Sequence, residues 1–455
     1  MTLIIKEARN YPKNCSIFAV ASIPNKLEYR TPSMYGDKFV VWTRSFVFPN
    51  VSLNDILTIR LFEVKKKKDK CLGAKTLKIR DMVLNTPTDE SVFLSLVKKD
   101  DHISSKSSDI QLQFQYDLHE TVMLNSEKYN ELLKLIVDPK LDLIFLLEKE
   151  MKSEDMKVIK HIVHVFEHQE CAYTLFKALI EHEIEKCDEP ATLFRTDNFA
   201  TEALDYYLKF VGSEYLKSTI GPHITKIIEQ QLDCELEQLK LDRTTDLKQN
   251  FENFTKVAQL MTRAIFASHP DVPPQFRVLF HHLEITAAKY FPCRVEVGLT
   301  AINGFLFLRF FVPALMHPQQ YGVWDGPTDP RTTSTLTLLA RAIQKMANLT
   351  SFSRDREPHL HLINDLIKTS SKNLAEYVSR IIDEKEGEGK DLHYKPSIHV
   401  ARDAAVLVEY FYNNMETFRQ LQPDHPCLKR ILELVSSLTQ QTLSAKQMFS
   451  IKTST

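Results

Sequence analysis

Two arginines have the residue type and the setting to do chemistry. Arg195 lies in a short stretch that follows Pro190 and precedes the cluster Thr196–Asn198, whose residue types are typical of a helix N-cap. The sequence therefore places Arg195 at the tip or exit of a loop between two helices. An exposed guanidinium there can be offered to the phosphates of another molecule. The alternative is an ordinary solvated surface arginine.

Arg309 lies inside an almost unbroken apolar run, residues 304–315, in which helical geometry puts apolar side chains on every side. A buried guanidinium has to be satisfied by carbonyls or carboxylates, because an unpaired buried charge costs on the order of several kcal/mol. Pro313 cannot donate the hydrogen bond that the Arg309 carbonyl would accept, so a helix break is expected there. We expect Arg309 to be buried and to support a neighbouring loop. The alternative is an arginine at the edge of the core whose alkyl chain is buried and whose guanidinium reaches solvent.

Three further groups of side chains could bind something. Gln344 and Asn348 are amides four residues apart on one helical face, which is also common among ordinary surface residues. His161, His164 and His168 share a helix, but no carboxylate completes an HExxH site, so we expect core packing and no metal.

A run of four lysines, Lys65, Lys66, Lys67 and Lys68, interrupts two strand-like segments and should form a loop. Like charges in a tight loop repel one another. An anionic membrane would neutralise them, and its attraction contributes about 1 kcal/mol of binding free energy per lysine. A simple solvated loop is the alternative. Residues 1–116 carry 19 Lys and Arg against 12 Asp and Glu, a net charge of +7, which also favours an anionic surface.

Composition excludes several classes of protein. The 455 residues contain only 10 glycines, with no GxxxxGK[ST] and no GxGxxG, so the chain is expected to bind no nucleotide by itself. Seven scattered cysteines without a CxxC argue against a disulfide framework and for a reducing, cytosolic compartment. We expect no signal peptide and no nucleic-acid partner. The apolar run 302–316 is too short to span a bilayer and indicates a buried helix.

The spacing of apolar residues divides the chain into two domains. Short strand-like runs separated by polar turns extend to Tyr116 and predict an antiparallel β-sandwich. Helical spacing follows, broken by loops at 187–196, 317–333, 351–358 and 384–396. We therefore expect a multidomain chain with an all-β domain at 1–116, a linker at 117–130, an all-helical domain at 131–445 and a tail at 446–455.

The helical domain resembles the Ras GTPase-activating protein (RasGAP) domain in the content, order and spacing of its motifs. These motifs are Thr192–Arg195 with Ala200–Thr201, Phe307–Arg309 with Pro313–Leu315 and Pro318, and Gln344 with Ala347–Leu349. The resemblance covers about residues 130–445. The sequence departs from the family pattern in two ways: Thr196 and Asp197 stand where Gly and Asn are common, and Ala191 replaces a hydroxyl residue seen in some members.

The first domain resembles a C2 sandwich, with residues 57–64 and 71–77 flanking what would be its third calcium-binding loop. Calcium-binding members supply several aspartates there, whereas this loop has Glu63, Lys65 and Lys70. Lysines in place of oxygen ligands argue against calcium.

The resemblance implies that Arg195 is an arginine finger and that Arg309 supports its loop. Leu308, Gln344, Asn348, Thr192 and Phe194 would then form the GTPase-binding residues. The chain would act on a GTP-loaded Ras-like or Rap-like GTPase that holds Mg²⁺ and nucleotide itself, at the inner face of the plasma membrane. A catalytically weak GTPase-binding scaffold and a lipid-binding adaptor remain as alternatives.

Overall fold

In the computed structural model, the apolar runs of the N-terminal region form strands and the segments of helical spacing form helices, in two separate units. The first unit ends at Glu120, and the second comprises Thr121–Trp324 and Thr328–Thr455. The structure describes residues 1–12, 14–24, 28–36, 39–42, 45–48, 51–52, 54–65, 69–85, 92–95, 111–117, 123–151, 153–230, 232–236, 246–294, 296–324, 328–355, 357, 360–383, 398–421 and 425–453.

The first unit contains two antiparallel sheets and one short helix, α1 (Ile79–Asn85). Its strands are β1 (Thr2–Arg9), β2 (Cys15–Ser22), β3 (Glu28–Arg30), β4 (Met34–Gly36), β5 (Phe39–Val41), β6 (Ser45–Val47), β7 (Ile56–Glu63), β8 (Lys70–Lys78), β9 (Val92–Ser95) and β10 (Gln111–Asp117). One sheet has the order β5-β1-β10-β9, with β6 also on β1. The other has the order β3-β2-β7-β8, with β4 also on β2.

A single hydrophobic core lies between these two sheets. Along β7, the inward side chains of Leu57, Ile59 and Leu61 are fully buried and alternate with more exposed residues, as period-two spacing requires. Leu3 and Ile5 on β1 of the other sheet belong to the same core cluster. The predicted antiparallel β-sandwich is confirmed.

The second unit is helical, as predicted. Its helices are α2 (Asn130–Ile136), α3 (Asp142–Glu150), α4 (Ile159–His168), α5 (Ala172–Lys186), α6 (Phe199–Val211), α7 (Ser213–Gln230), α8 (Leu247–Ala267), α9 (Pro274–Tyr290), α10 (Glu296–Asn303), α11 (Val312–Met316), α12 (Pro330–Ala347), α13 (Asn364–Ile382), α14 (Val400–Asn413), α15 (Met415–Leu421) and α16 (Pro426–Thr453). A π-helix, Gly304–Phe311, joins α10 to α11.

The continuous helical stretch Glu296–Met316 is the most apolar segment of the described chain. Its length and mean hydropathy of 1.7 would allow it to cross a bilayer, but 61% of that apolar window is buried inside the fold. Leu306, Phe307 and Phe311 are completely enclosed by other helices. The expectation of a buried core helix is confirmed.

An aromatic cluster fixes this core helix against its neighbours. The ring of Phe310 stacks on Tyr215 of α7, at 6.2 Å between centroids, and meets Phe276 of α9 edge-on at 5.4 Å. Gly212, between α6 and α7, lies so close that a Cβ on it would be 2.6 Å from the Phe276 ring and 2.9 Å from the Phe310 ring. Glycine is therefore required at this position, because any larger residue would push the rings apart.

The domain limits differ from the predicted ones at both ends of the helical unit. Tyr129, inside the predicted linker, is buried in the helical core, and its hydroxyl accepts a hydrogen bond from the Leu124 N–H at 3.1 Å. At the other end, α16 continues to Thr453, through most of the predicted tail.

The spacing of apolar residues also gave no sign of an interruption between α7 and α8. No Pro or Gly marks it, yet described residues 232–236 have no regular structure, and Cys234 and Leu236 are buried in the core. The side chain of Asn250 on α8 donates to a side-chain oxygen of Asp233 at 3.1 Å and to the Glu235 carbonyl at 2.9 Å. These hydrogen bonds replace the ones that a helix would have supplied.

Arg277 on α9 is a buried cation, only 6% exposed, that sequence analysis did not single out. Its Nη1 donates to the carbonyls of Arg380 and Ile381 at 3.2 and 3.3 Å, at the last turn of α13. Its Nε donates to the Val272 carbonyl at 3.4 Å, and its Nη2 donates to the His269 carbonyl. Arg277 thus satisfies helix-terminal carbonyls that have no partner within their own helix.

We predict that Arg277→Ala lowers the free energy of unfolding by about 3 kcal/mol, because it leaves buried carbonyls unpaired and opens a cavity. Arg277→Met, which refills the space without donors, should recover only part of this loss. Arg263→Ala, at an exposed arginine of α8, should change stability by less than about 0.5 kcal/mol. Urea denaturation of the whole chain measures all three, and a loss below about 1 kcal/mol for Arg277→Ala would contradict the assignment.

Candidate functional site

Arg195 lies on the loop between α5 and α6, as predicted. A 3₁₀ turn, Pro190–Thr192, opens the loop, and the Arg195 N–H donates to the Thr192 carbonyl at 3.0 Å. The hydroxyl of Thr192 donates in turn to the Glu189 carbonyl at 2.8 Å. The Arg195 side chain is exposed, and within the described residues its guanidinium makes no hydrogen bond or ion pair. The loop thus presents an unpaired cation to solvent.

Phe194, directly before Arg195, fixes the loop to the core. It is only 7% exposed, and its ring lies 5.1 Å from that of Phe305 on the π-helix. Its backbone has a φ of +55°, in the left-handed region that non-glycine residues occupy at a cost of about 1 to 2 kcal/mol. The ring of Phe194 is thus enclosed in the free chain, and its contact with a partner stays a prediction.

Asn198 ends the loop by capping α6. Its side-chain oxygen accepts from the Thr201 N–H at 2.9 Å, and its amide nitrogen donates to Glu183 of α5 at 2.8 Å. Burial raises the pKa of the Glu183 carboxyl, and the Asn198 hydrogen bond opposes that shift. Asn198 thus ties the two helices that flank the loop together, as the N-cap prediction required.

Arg309 projects from the π-helix, and Pro313 explains that geometry. In an α-helix the Arg309 carbonyl would need the missing N–H of Pro313, whereas π-helical pairing runs from residue i to i+5, as in the Val312 N–H bond to the Phe307 carbonyl. The helix break expected near Pro313 is not found: the chain stays helical from Glu296 to Met316, and π-helical pairing accommodates the proline. Arg309 is not fully buried either, since its side chain is 22% exposed, and Leu308 beside it is half-buried.

The Arg309 guanidinium reaches the Arg195 loop through a carboxylate. Its Nη2 lies 3.0 Å from Oδ1 of Asp197, whose own side chain is 76% exposed. Asp197 is two residues after Arg195, so the ion pair holds the segment that carries the free cation. The two arginines chosen from the sequence are therefore brought together, with Asp197 as the residue that joins them.

Gln344 and Asn348 lie at the exposed C-terminal end of α12, which packs against the π-helix. The Asn348 N–H donates to the Gln344 carbonyl at 3.1 Å. Within the described residues, no hydrogen bond joins either side chain to the Arg195 loop. A contact that sequence reasoning missed comes from Asn303, 3% exposed, which donates to the Ala347 carbonyl at 3.5 Å. The exposed amides remain available to a partner, and Asn303 links their helix to α10.

The lysine-rich segment joins β7 to β8, as predicted. Lys65 is exposed and forms an ion pair with Glu63, and its backbone N–H donates to Asp69 at 3.3 Å. Lys66, Lys67 and Lys68 lie outside the described residues. One of the four lysine charges is therefore partly neutralised within the chain.

A buried polar cluster was hidden from sequence analysis by chain separation. Asp403 on α14 lies 2.6 Å from Nδ1 of His161 and 3.0 Å from Nδ1 of His164, while Nε2 of His164 lies 2.7 Å from the Tyr206 hydroxyl. His168 is exposed and takes no part. The carboxylate that the sequence lacked near the histidines thus comes from more than 200 residues away.

The three groups are close enough to hold a metal ion, since their ligand atoms lie within 4.8 Å of one another. Two ligand atoms bound tetrahedrally to one zinc, each about 2.0 to 2.1 Å from the metal, lie about 3.3 Å from each other. The distances from Asp403 to the two histidine nitrogens are both shorter than this. Those contacts have the lengths of charge-assisted hydrogen bonds. Burial lowers the pKa of His161; burial alone would raise the pKa of Asp403, but the two histidine hydrogen bonds hold it below its usual range. The cluster is a hydrogen-bond network that joins α4, α6 and α14.

Comparison with known proteins finds similarity in the helical unit. A family model described as "GTPase-activator protein for Ras-like GTPase" matches residues 175–246 and 240–348, which include the Arg195 loop, the π-helix and α12. "Probable Ras GTPase-activating-like protein ngap" of Dictyostelium discoideum is 31% identical over 280 residues, 61% of this chain and 32% of that protein. "Ras GTPase-activating protein 1" of Rattus norvegicus is 24% identical over 412 residues, 90% of this chain and 39% of that protein.

The chain spans about a third of the length of these curated relatives. Among solved structures, a C2 domain of plant Extended Synaptotagmin 1 aligns with a TM-score of 0.22 and 11% identity, over 26% of this chain and 95% of that one.

Two substitutions at Phe194 separate the contribution of the ring from that of the strained backbone. Phe194→Ala should lower the free energy of unfolding by about 3 kcal/mol through loss of ring burial, while the positive φ persists. Phe194→Gly loses the same ring but relieves the backbone, so it should be more stable than Phe194→Ala by about 1 kcal/mol. Urea denaturation measures the difference, and a less stable glycine variant would show that the left-handed backbone is absent in solution.

Proposed function

We propose that this chain is a member of the RasGAP family and accelerates GTP hydrolysis on a Ras-like small GTPase by supplying Arg195 to that enzyme's active site. The observation that carries the proposal is the exposed, unpaired guanidinium of Arg195 on a loop whose two ends are fixed by Phe194 and Asn198. A cation held outward in this way reaches phosphates without first breaking an ion pair of its own.

The chemistry belongs to the GTPase, which holds Mg²⁺ and the nucleotide. As the γ-phosphoryl group departs, negative charge develops on the phosphate oxygens, and a positioned guanidinium stabilises that charge more in the transition state than in the ground state. The Arg195 carbonyl is suited to orient the partner's catalytic glutamine on the attacking water. The general case of Ras and its activator is the known example of this effect, with an acceleration of about 10⁵-fold.

We assign the partner-binding surface from the solvent exposure of the side chains around Arg195. Thr192, Gln344 and Asn348 are exposed, and Leu308 is half-buried beside Arg309 on the π-helix. We propose that these four side chains contact the GTPase. Whether a Ras-like or a Rap-like GTPase is preferred depends on the partner surface that they meet.

A scaffold that binds the GTPase without accelerating hydrolysis is the second candidate. The feature that favours it is the residue pair Thr196 and Asp197, which departs from the usual finger loop. A lipid-binding adaptor is the third. Single-turnover hydrolysis separates them, because only an activator shortens the lifetime of GTP on the partner.

We predict that Arg195→Ala lowers the single-turnover rate of GTP hydrolysis by about 10³-fold or more and weakens binding to a GTPase·GDP·fluoride complex, which resembles the transition state. The melting temperature should hardly change, since the side chain has no partner in the described chain. Arg263→Ala is the matched control and should retain the full rate. A variant at Arg195 that keeps more than about a tenth of the rate would remove Arg195 from the mechanism.

We also propose that the β-sandwich recruits the chain from the cytoplasm to the inner face of the plasma membrane, as a C2-like module that needs no calcium. The support is its net charge of +7 over residues 1–116 and the segment Lys65–Lys68 between β7 and β8. Lipid-anchored GTPases are concentrated on that surface, so recruitment would raise the encounter rate. Electrostatic attraction of this kind falls as the Debye length shrinks from about 10 Å at 0.1 M salt to about 3 Å at 1 M.

Replacing Lys65, Lys66, Lys67 and Lys68 by glutamine should reduce co-sedimentation with phosphatidylserine or phosphoinositide vesicles and spare activity toward soluble GTPase. The control replaces four lysines elsewhere in the unit, at positions 6, 13, 75 and 78. Equal loss by both proteins would indicate diffuse charge rather than this loop, and binding that disappears with chelator would contradict calcium independence.

A further inference from the structure

The segment that carries Arg195 is fixed at its ends but exposed in its middle. Phe194 is packed on Phe305 at one end, and Asn198 caps α6 at the other. Residues 195–197 between them are exposed, and within the described part of the chain the only side-chain hydrogen bond or ion pair of this segment is that between Asp197 and Arg309. Apart from the hydrogen bond of the Arg195 N–H to the Thr192 carbonyl, the middle of the segment is therefore held by one ion pair.

The Arg309 guanidinium has other carboxylates near it. Glu202 and Asp205, both on α6, interact electrostatically with Arg309 and with Asp197. Asp205 already has its own cation, Lys209, at 2.7 Å. Burial, followed by the charges of Asp205 and Asp197, raises the pKa of Glu202 and so disfavours its ionised form. Asp197, exposed and with no other hydrogen-bond partner in the described chain, is the carboxylate that remains for Arg309.

We propose that Asp197 is a positioning residue: its ion pair with Arg309 sets the direction in which the loop presents Arg195. The inference rests on the proposed function and adds to it a residue that acts through Arg309 and touches no phosphate. It assigns the loop a charged side-chain contact where an asparagine could provide only a neutral one.

The size of the effect on loop direction depends on how far the Asp197–Arg309 ion pair is exposed to water. An exposed ion pair changes an equilibrium by up to about fivefold, so in the free chain it only biases the loop. A partner that covers the loop removes water from the pair, and the lower local dielectric strengthens it. Because a misplacement of about 1 Å at a reacting group costs up to about 100-fold in rate, a modest bias in loop direction becomes a large bias in catalysis.

The charge of Asp197 distinguishes this contact from an ordinary hydrogen bond. A carboxylate accepts a charge-assisted bond from a guanidinium that is roughly twice as strong as a neutral one. Asp197→Asn keeps the shape and one acceptor but removes the charge, so it should have an intermediate effect. The contribution should also weaken with added salt in the free chain, where the pair is exposed.

The test uses the whole chain as wild type, Asp197→Ala, Asp197→Asn, Arg309→Ala and the double variant Asp197→Ala with Arg309→Ala. Asp188→Ala is the matched control, because Asp188 is an exposed carboxylate at the start of the same loop with no ion pair in the described chain. Two readouts are taken: amide hydrogen exchange of residues 195–197 in the free chain, and kcat and KM for GTP hydrolysis by a soluble Ras-like GTPase.

We expect Asp197→Ala and Arg309→Ala each to speed exchange in the loop by about two- to fivefold and to lower kcat by about tenfold, with KM changed by less than about threefold. The double variant should be no worse than the poorer single variant within about twofold, because both remove the same contact. Asp188→Ala should match wild type in both readouts.

The inference is overturned if Asp197→Ala matches wild type in exchange and in kcat, if the two single effects simply multiply, or if Asp188→Ala has the same effect. Failure of the proposed function looks different, since wild type would then not accelerate hydrolysis at all. In that event hydrogen exchange in the free chain still decides whether Asp197 and Arg309 position the loop.

Discussion

A cation that is to act on the phosphates of another molecule must stay unpaired in its own protein, and under the proposed function the surroundings of Arg195 meet that constraint. Arg195 is on a loop rich in carboxylates, with Asp188, Glu189 and Asp197 close by in sequence. The structure keeps these groups from neutralising it: Asp197 pairs with Arg309, and a strained Phe194 turns the chain outward. The strained backbone of Phe194 and the ion pair of Asp197 thus leave the guanidinium of Arg195 without a carboxylate partner in the described chain.

The loop in turn depends on a rigid support. Phe305 and Arg309 both come from the π-helix, which provides an apolar contact for one end of the loop and a charged contact for its middle. The rest of that helix is buried among aromatic rings around Gly212 and is held from the far side by α9. Small displacements in this close-packed core would be transmitted to the loop, because packed aromatic side chains have few alternative arrangements.

Sequence analysis found the architecture and the two arginines because their signals are local. Period-two and helical spacing separate the β-sandwich from the helices, and Arg309 stands out as a lone charge in an apolar run. Long-range pairing has no such signal: Asp197 and Arg309 are 112 residues apart, and Asp403 is 239 residues from His164. The left-handed backbone of Phe194 was not predicted, because phenylalanine is an exception to the usual glycine preference there and no neighbouring residue indicates the turn. The break after α7 was missed because buried Cys234 and Leu236 imitate the spacing of a helix.

The π-helix gives this region an unusual response to insertion and deletion. A π-helical turn contains about one residue more than an α-helical turn, so removing one residue from Gly304–Phe311 would shift its hydrogen bonds toward α-helical pairing, except for the carbonyl four residues before Pro313. Each residue of an α-helix turns the side chain by about 100°, so the same deletion would rotate either Arg309 or the rings before it away from the loop. A more regular helix would then carry a misdirected guanidinium. In related sequences, the length of this segment should therefore be held more strictly than the lengths of the surface loops on either side of it.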